Sequence, residues 1–414
     1  MQRCWAQMLE ISPKRPRATA NELWLCEGFD YASSGRLLFP VSSDASVSGT
    51  ERLSEDDLIV QAAYEAVDLD VVVRSALPFP AEHSPIVVSV VKDERVMLGH
   101  FLRHYRRHGV ERFAFIDNGS TDGSVEFLAA QPDVDVFKAA QSFDWRMKQA
   151  WINRAFDYYG IDRWFVVADA DEHMIFDGAG VRSLPDLAQR MEAMGVTRVR
   201  GFLLDMYSEG PILLTGSDDD PLETSYPFFD SQGYSETLTM DLVSRIGGPR
   251  MRAFARNDPE FKPQLTKYPL FRLTAGEFMP NPHHIWPRAA NFRSPCYIAI
   301  LHYKFHGDVT GRVARAVARG NYWDGSREYK AYAQVLAASP EKSLLCELSR
   351  RMTGFDSIAE CGLIERILWP PFDASSLLHS SMMTAMRERR AERLAQCEGG
   401  AGLYVYGEEG SGRS

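Results

Sequence analysis

The chain has 414 residues, 45% of them hydrophobic and 25% charged, with a net charge of −10 at neutral pH. That length allows two or three domains, or one large domain with additions, and the composition is that of an ordinary globular protein. The acidic balance argues against a nucleic-acid binder, which carries a basic face, and no apolar run approaches the length that spans a bilayer.

Residues 1–83 alternate basic and polar stretches with short apolar runs, and 42–54 are rich in Ser, Asp, Thr and Gly. They read as an appendage, β-rich or partly disordered, ending at the proline-rich ALPFPAEHSP. IVVSVV (86–91) is the continuous β-branched run of a buried parallel strand. Met97, Leu98, Phe101, Leu102 and Tyr105 then recur at helical spacing, with Gly109 as the stop. RFAFID (112–117) is the next strand, and NGSTDGS is a turn in which Thr121 or Asp122 caps a short helix. DVDVF (133–137) is a third strand, and an amphipathic helix over 145–159 stops at Gly160. RWFVVADADEHMIF (163–176) reads as a fourth strand running into an acidic turn. A helix over 183–196 with proline in its first turn and a strand over 197–207 follow.

This rhythm predicts βαβ units, hence an α/β domain over 84–310 with a mostly parallel sheet flanked by helices. ILHYKF (300–305) is a short strand bearing His302, and 311–414 read as a helical region with a frayed tail. Ligands of such sheets bind at the carboxyl ends of the strands, which singles out Asp117 and residues 169–172. The opening stretch MQRCWAQMLEISPKRPR lacks the apolar centre of a secretory signal. The cysteines, Cys4, Cys26, Cys296, Cys346, Cys361 and Cys397, form no CxxC pair. They read as reduced thiols of a cytoplasmic protein, with attachment at the inner face of a membrane left open.

The sharpest signal is VVADADE. On a strand, residues i and i+2 point the same way, so Asp169 and Asp171 would share a face. Two bare carboxylates about 6–7 Å apart repel by about 2.5 kcal/mol at an effective dielectric near 20. A divalent cation removes that repulsion, and hard carboxylate oxygens suit Mg²⁺ or Mn²⁺ completed by substrate phosphates. A solvated acidic turn is the bland alternative, but the flanking apolar residues 164–168 and 174–176 make unpartnered acids costly there. In the helix before it, Arg146, Gln149 and Asn153 share one face that either meets a diphosphate or is merely solvated. Asp117 could accept hydrogen bonds from a nucleobase or ribose, or simply cap its turn. His302 becomes a plausible late imidazole ligand beside a carboxylate site. His283 and His284 could line an acceptor pocket or pack a turn.

Together these pieces resemble the glycosyltransferase family 2 group of the GT-A superfamily. The likeness is to a bacterial branch with a K-(N/D)-E, DNGSTDGS and W-x-(V/L)-x-x-D-x-D-E pattern. Here the pattern is Lys92-Asp93-Glu94, residues 117–124, and residues 164–172. GGPRMRAF, KYPLFRL, NPHHIW and LHYKF also look like that branch, and the likeness covers roughly 84–330. It implies a nucleotide-sugar donor and a carbohydrate or glycolipid acceptor, as in surface polysaccharide assembly. The first strand with Lys92 and Glu94, and Asp117 with Asn118, would hold the nucleoside. Asp169 would contact ribose or metal, and Asp171 and His302 would ligate the metal. Many members have consecutive aspartates where this chain has Asp117-Asn118, so which of the two meets the base stays open. Asp205, ending FLLD, and after it His284 are the expected catalytic bases. The rivals are a nucleotidyltransferase, whose glycine-rich basic loop KDERVML does not supply, and an inactive GT-A scaffold.

Overall fold

Strands apolar on both faces need cover on both faces, and this chain supplies it from helices between the strands. The computed structural model describes residues 53–370 apart from 215–219, 240–241, 256–257 and 259. The expectations for 1–52 and for the helical tail beyond 370 lie outside these residues. The described chain opens with α1 (Glu55–Ala66), β1 (Asp70–Val73), β2 (Ile86–Val91), α2 (Arg95–Arg107) and β3 (Arg112–Asp117). It continues through α3 (Ser124–Ala129), β4 (Val134–Lys138), α4 (Trp145–Tyr159), β5 (Arg163–Val167), β6 (Glu172–Phe176), α5 (Leu184–Ala193) and β7 (Arg198–Asp205). Next come α6 (Leu222–Ser225), β8 (Phe228–Asp230), β9 (Tyr234–Thr239), β10 (Leu242–Gly247), α7 (Gly248–Phe254), β11 (Thr266–Leu273), β12 (Phe278–Asn281) and β13 (His284–Trp286). The last elements are β14 (Cys296–His302), α8 (Val309–Arg319), α9 (Trp323–Ala338), β15 (Ser349–Arg351) and α10 (Phe355–Ala359).

One nine-stranded sheet runs in the order β1-β4-β3-β2-β5-β11-β7-β14-β6. Strands β4, β3, β2 and β5 are parallel neighbours, as are β7 and β14. Strand β11 runs antiparallel between β5 and β7, which therefore point the same way, and β1 and β6 are antiparallel edges. Fully buried Phe101, Leu102, Leu187 and Met191 bring α2 and α5 onto one face, and Tyr64, Trp151 and Phe156 bring α1 and α4 onto the other. Each such side chain contributes about 1.5–3 kcal/mol by leaving water. A smaller cluster of Phe254, Phe305 and Tyr332 ties α7 and α9 to the chain leaving β14. The protein is thus α/β, with a large mixed sheet between helices. No helix among the described residues is long and apolar enough to cross a membrane.

Three boundaries differ from the sequence reading. Residues 55–73, placed in the appendage, belong to the domain: β1 pairs with β4, and Tyr64 of α1 donates to Asp157 Oδ2 of α4 at 2.8 Å. The apolar positions of α1, Leu58, Ile59, Val60, Ala62, Ala63, Tyr64 and Ala66, spread round most of the helix, so pattern alone does not single out its buried face. Residues 163–176 are two strands, because 168–171 form a turn closed by Glu172 N–H donating to Asp169 O at 3.0 Å. The region after 311 also contains β15, which pairs with β8. Among the described residues Cys296, Cys346 and Cys361 are free thiols.

Candidate functional site

The carboxyl ends of β7 and β14, with the entry end of β11, bring together the buried charges of Glu172, Asp205, Arg250 and Lys267. The register places Asp205 of β7 beside His302 of β14, and His302 beside Glu172 of β6. His302 Nδ1 lies 2.7 Å from Asp205 Oδ1, and its Nε2 lies 3.5 Å from Asp171 Oδ2. Burial opposes a charge on His302, but Asp171 and Asp205 outweigh it and raise the imidazole pKa. Asp205 is itself held by Arg250 Nε at 2.8 Å, and Arg250 Nη1 reaches Glu328 Oε1 of α9 at 2.8 Å. Burial works against the Asp205 carboxylate, yet Arg250 and His302 bring its pKa below the usual value. Carboxylate, imidazole and carboxylate thus stand in line, with the outermost, Asp171, turned toward the strand ends.

Asp169 takes different partners. Lys148 of α4 pairs closely with Asp169 Oδ1, and Lys267 of β11 lies 4.0 Å from Asp169 Oδ2 while pairing closely with Glu172. Burial and the Asp171 charge push the Asp169 pKa up, and the two lysines overcome them. Glu172 also accepts the Asp169 N–H through Oε2 at 3.3 Å, which locks the turn.

Glu94, at the start of α2, has no hydrogen bond to its carboxyl group among the described residues. Burial, then the charges of Asp171 and Asp169, push its pKa up to about 8, while Arg312 and Lys304 pull the other way. Lys304 Nζ donates to Tyr329 at 3.0 Å, and Arg312 donates to the carbonyls of Lys304 at 2.7 Å and His306 at 2.8 Å. For an acid with a raised pKa, the stability of the neutral form is complete below the unfolded value of 4.5 and is lost as pH rises through about 8. That rise corresponds to about 5 kcal/mol, and solvent relaxation around a half-buried group reduces it to about 2–4 kcal/mol. Glu94→Gln, unfolded in the presence of chelator, should therefore gain on the wild type by about that amount between pH 5 and pH 8.5. A gap that does not widen with pH would remove the repulsion.

Several expected ligand groups have other work. Asp117 caps its own turn, accepting from Gly119 N at 2.9 Å and Ser120 N at 3.1 Å. Asn118 donates to Ala139 O and Gln141 O at 3.2 and 2.8 Å. Lys92 donates to Asn118 O at 2.7 Å, tying the loop after β2 to the loop after β3. Arg146 pairs with Asp56 at 2.6 Å on the α1 side. Asn153, fully buried, clamps β12 through Met279 N and O at 2.9 and 2.8 Å. His284 is buried against Asp57 of α1, 3.4 Å away, in a pair that also holds Arg288 at 2.7 Å. Asp205 is thus held by two partners, and His284 is buried on the α1 side of the sheet. His283 instead feels the Lys267 and Arg250 charges, and burial first and these cations next bring it down to about 4.

Sequence reasoning passed over Lys148, Lys267, Arg250, Lys304 and Arg312. All but Arg312 lie inside or beside a quoted motif, and what gives the five a role is tertiary proximity to the acids.

The residues fit a divalent ion at Asp171 and His302. Ligand atoms of Asp171, Glu172 and His302 lie within 4.8 Å of one another. Asp205 behind the imidazole is the partner that orients a ligating histidine and raises its basicity. Asp169, paired with two lysines, is not arranged as a ligand. No protein-family model matches the chain, and no curated protein matches it.

Proposed function

We propose that this chain is a GT-A glycosyltransferase that moves a sugar from a nucleoside-diphosphate donor to an acceptor hydroxyl, with Mn²⁺ or Mg²⁺ held by Asp171 and His302. The observation that carries the reading is the Asp171–His302–Asp205 line at the carboxyl ends of β7 and β14, where ligands of such sheets bind. A bound ion would act as a Lewis acid on the leaving diphosphate. The chain's own contribution is positional. Asp205 fixes the His302 ring, and Arg250 and Glu328 fix Asp205. Lys304 and Arg312, whose charges reach Glu94, supply positive potential for phosphate oxygens. The acceptor oxygen bonds to the anomeric carbon, the bond to the diphosphate breaks, and the diphosphate leaves with the electron pair. We assign the acceptor's proton to the ionised form of Glu94, a carboxyl group with no hydrogen-bond partner among the described residues, whose pKa of about 8 calls for turnover that rises with pH toward that value.

A second reading is an inactive sugar-nucleotide-binding domain, favoured by the pairing of Asp169 and Glu172 with resident lysines, which balances charge without a metal. Calorimetry with UDP and GDP, with and without Mn²⁺, separates the two, followed by a hydrolysis screen of nucleotide-sugars. Mn²⁺-dependent binding of either nucleotide together with hydrolysis of a donor supports the enzyme. Binding without turnover supports the inactive domain, and no binding of either nucleotide removes both.

A further inference from the structure

On the far side of the acidic turn, β6 buries a different set of groups. His173 is 2% exposed, and neither of its ring nitrogens has a hydrogen-bond partner among the described residues. A neutral imidazole carries one donor and one lone pair, and leaving each unmet costs about 1–3 kcal/mol. Its ring stacks on His104 of α2 at 4.3 Å between centroids and 14° between planes. His104 Nε2 lies 2.9 Å from Met174 O, so that nitrogen carries the proton and Nδ1 carries the lone pair. Glu223, half-buried in α6, has no partner for its carboxylate among the described residues. Beside them the Tyr303 hydroxyl is buried and equally without a partner. The ligand atoms of His104, His173 and Glu223 all lie within 4.8 Å of one another. Orphaned polar atoms converging on one point in a core are what a missing ion leaves behind.

We propose that His104, His173 and Glu223 form a second metal site, taking a borderline transition cation, Zn²⁺ foremost. Two imidazoles and one carboxylate are a zinc donor set, whereas Mg²⁺ and Mn²⁺ favour all-oxygen shells. Bonds of about 2.0–2.1 Å in a tetrahedron put ligand atoms about 3.4 Å apart, and because an imidazole holds a metal in its own ring plane, His173, which no hydrogen bond holds, turns out of the stack when the ion binds. The His104 bond to Met174 O is the backbone contact that fixes the tautomer of a ligating histidine. The site would pin α6, in the chain that leaves β7, against α2 and the edge strand β6. It uses no residue of the Asp171–His302 line, so it stands or falls apart from the glycosyltransferase reading.

The experiment strips the full chain with chelator, reloads it with Zn²⁺ or Co²⁺, and measures bound metal by mass spectrometry and Co²⁺ by visible absorption. Asp171→Asn serves as the background that disables the other candidate site. One equivalent should remain there, with tetrahedral Co²⁺ bands. Adding Glu223→Gln should weaken binding at least tenfold, and adding His173→Leu should abolish it. Glu223 is half-buried at a surface helix, so its variant decides the matter if His173→Leu does not fold. Absence of Zn²⁺ binding in Asp171→Asn, or binding that ignores Glu223→Gln, overturns the proposal.

Discussion

Asp171→Asn should lower Mn²⁺-dependent donor hydrolysis and transfer by about 10²–10³-fold, the loss seen when one preorganised group that stabilises transition-state charge is removed. Asparagine keeps the volume and one oxygen, so the fold is expected to survive, and the loss reports charge. Asp171 sits 3.5 Å from His302 Nε2 and has no lysine or arginine ion pair of its own among the described residues. Burial disfavours its charge, but His302, then Lys304 and His306, hold its pKa well below the usual carboxylate value, so it is ionised throughout the physiological range. Its removal also takes away one of the two carboxylates that raise the His302 pKa. The measurement is kcat and KM for nucleotide-sugar hydrolysis over a Mn²⁺ titration, beside Asp169→Asn. Because Lys148 and Lys267 already neutralise Asp169, that second variant should retain more activity than the first. Wild-type turnover in Asp171→Asn would remove the metal assignment, and equal losses in the two variants would return Asp169 to the ligand set.

How legible this was in the chain depends on the range of the interaction. The strands over 86–91 and 112–117 and the helix over 145–159 stand where apolar periodicity and Gly160 put them, because those signals are local. The α/β class followed from the alternation of such elements. The argument that Asp169 and Asp171 share a strand face did not carry over, because the backbone turns at 168–171 and sends β6 to the sheet edge, with three strands between it and β5. Nothing in the local pattern around Asp169 announces Lys267, which arrives on β11 as an antiparallel strand inserted between β5 and β7. The same holds for Asp205. A carboxylate ending an apolar strand reads as a base, and only the register of β14 against β7 reveals that it faces His302. Asp117 and Asn153 show the reverse case, in which polar residues at suggestive positions are consumed by a turn and by a strand they anchor.

Asp205→Asn should separate positioning from ligation. The carboxylate accepts from His302 through Oδ1 and from Arg250 through Oδ2, at 2.7 and 2.8 Å. An asparagine amide has one acceptor oxygen, so it can satisfy one of the two and presents an N–H₂ to the other. Breaking a buried ion pair from one side costs about 3–5 kcal/mol, and here the lower end applies because Arg250 keeps Glu328 at 2.8 Å. Asp205 has a lowered pKa, so the stability it contributes is present above the unfolded value of 3.8 and fades as pH falls through the folded one. The stability gap between wild type and variant should therefore be widest near neutrality and narrow in acid. For metal binding, losing the group behind a ligating imidazole typically weakens affinity by about 10–100-fold without abolishing it. The variant should thus show a raised Mn²⁺ requirement, with turnover partly rescued at saturating Mn²⁺, whereas Asp171→Asn should not be rescued. Unfolding by urea at neutral and acidic pH, with Mn²⁺-dependent kinetics on both variants, tests each part. If Asp205→Asn lost turnover with an unchanged Mn²⁺ requirement, Asp205 would have to act on the substrate directly, and the proton acceptor would have to be sought there rather than at Glu94.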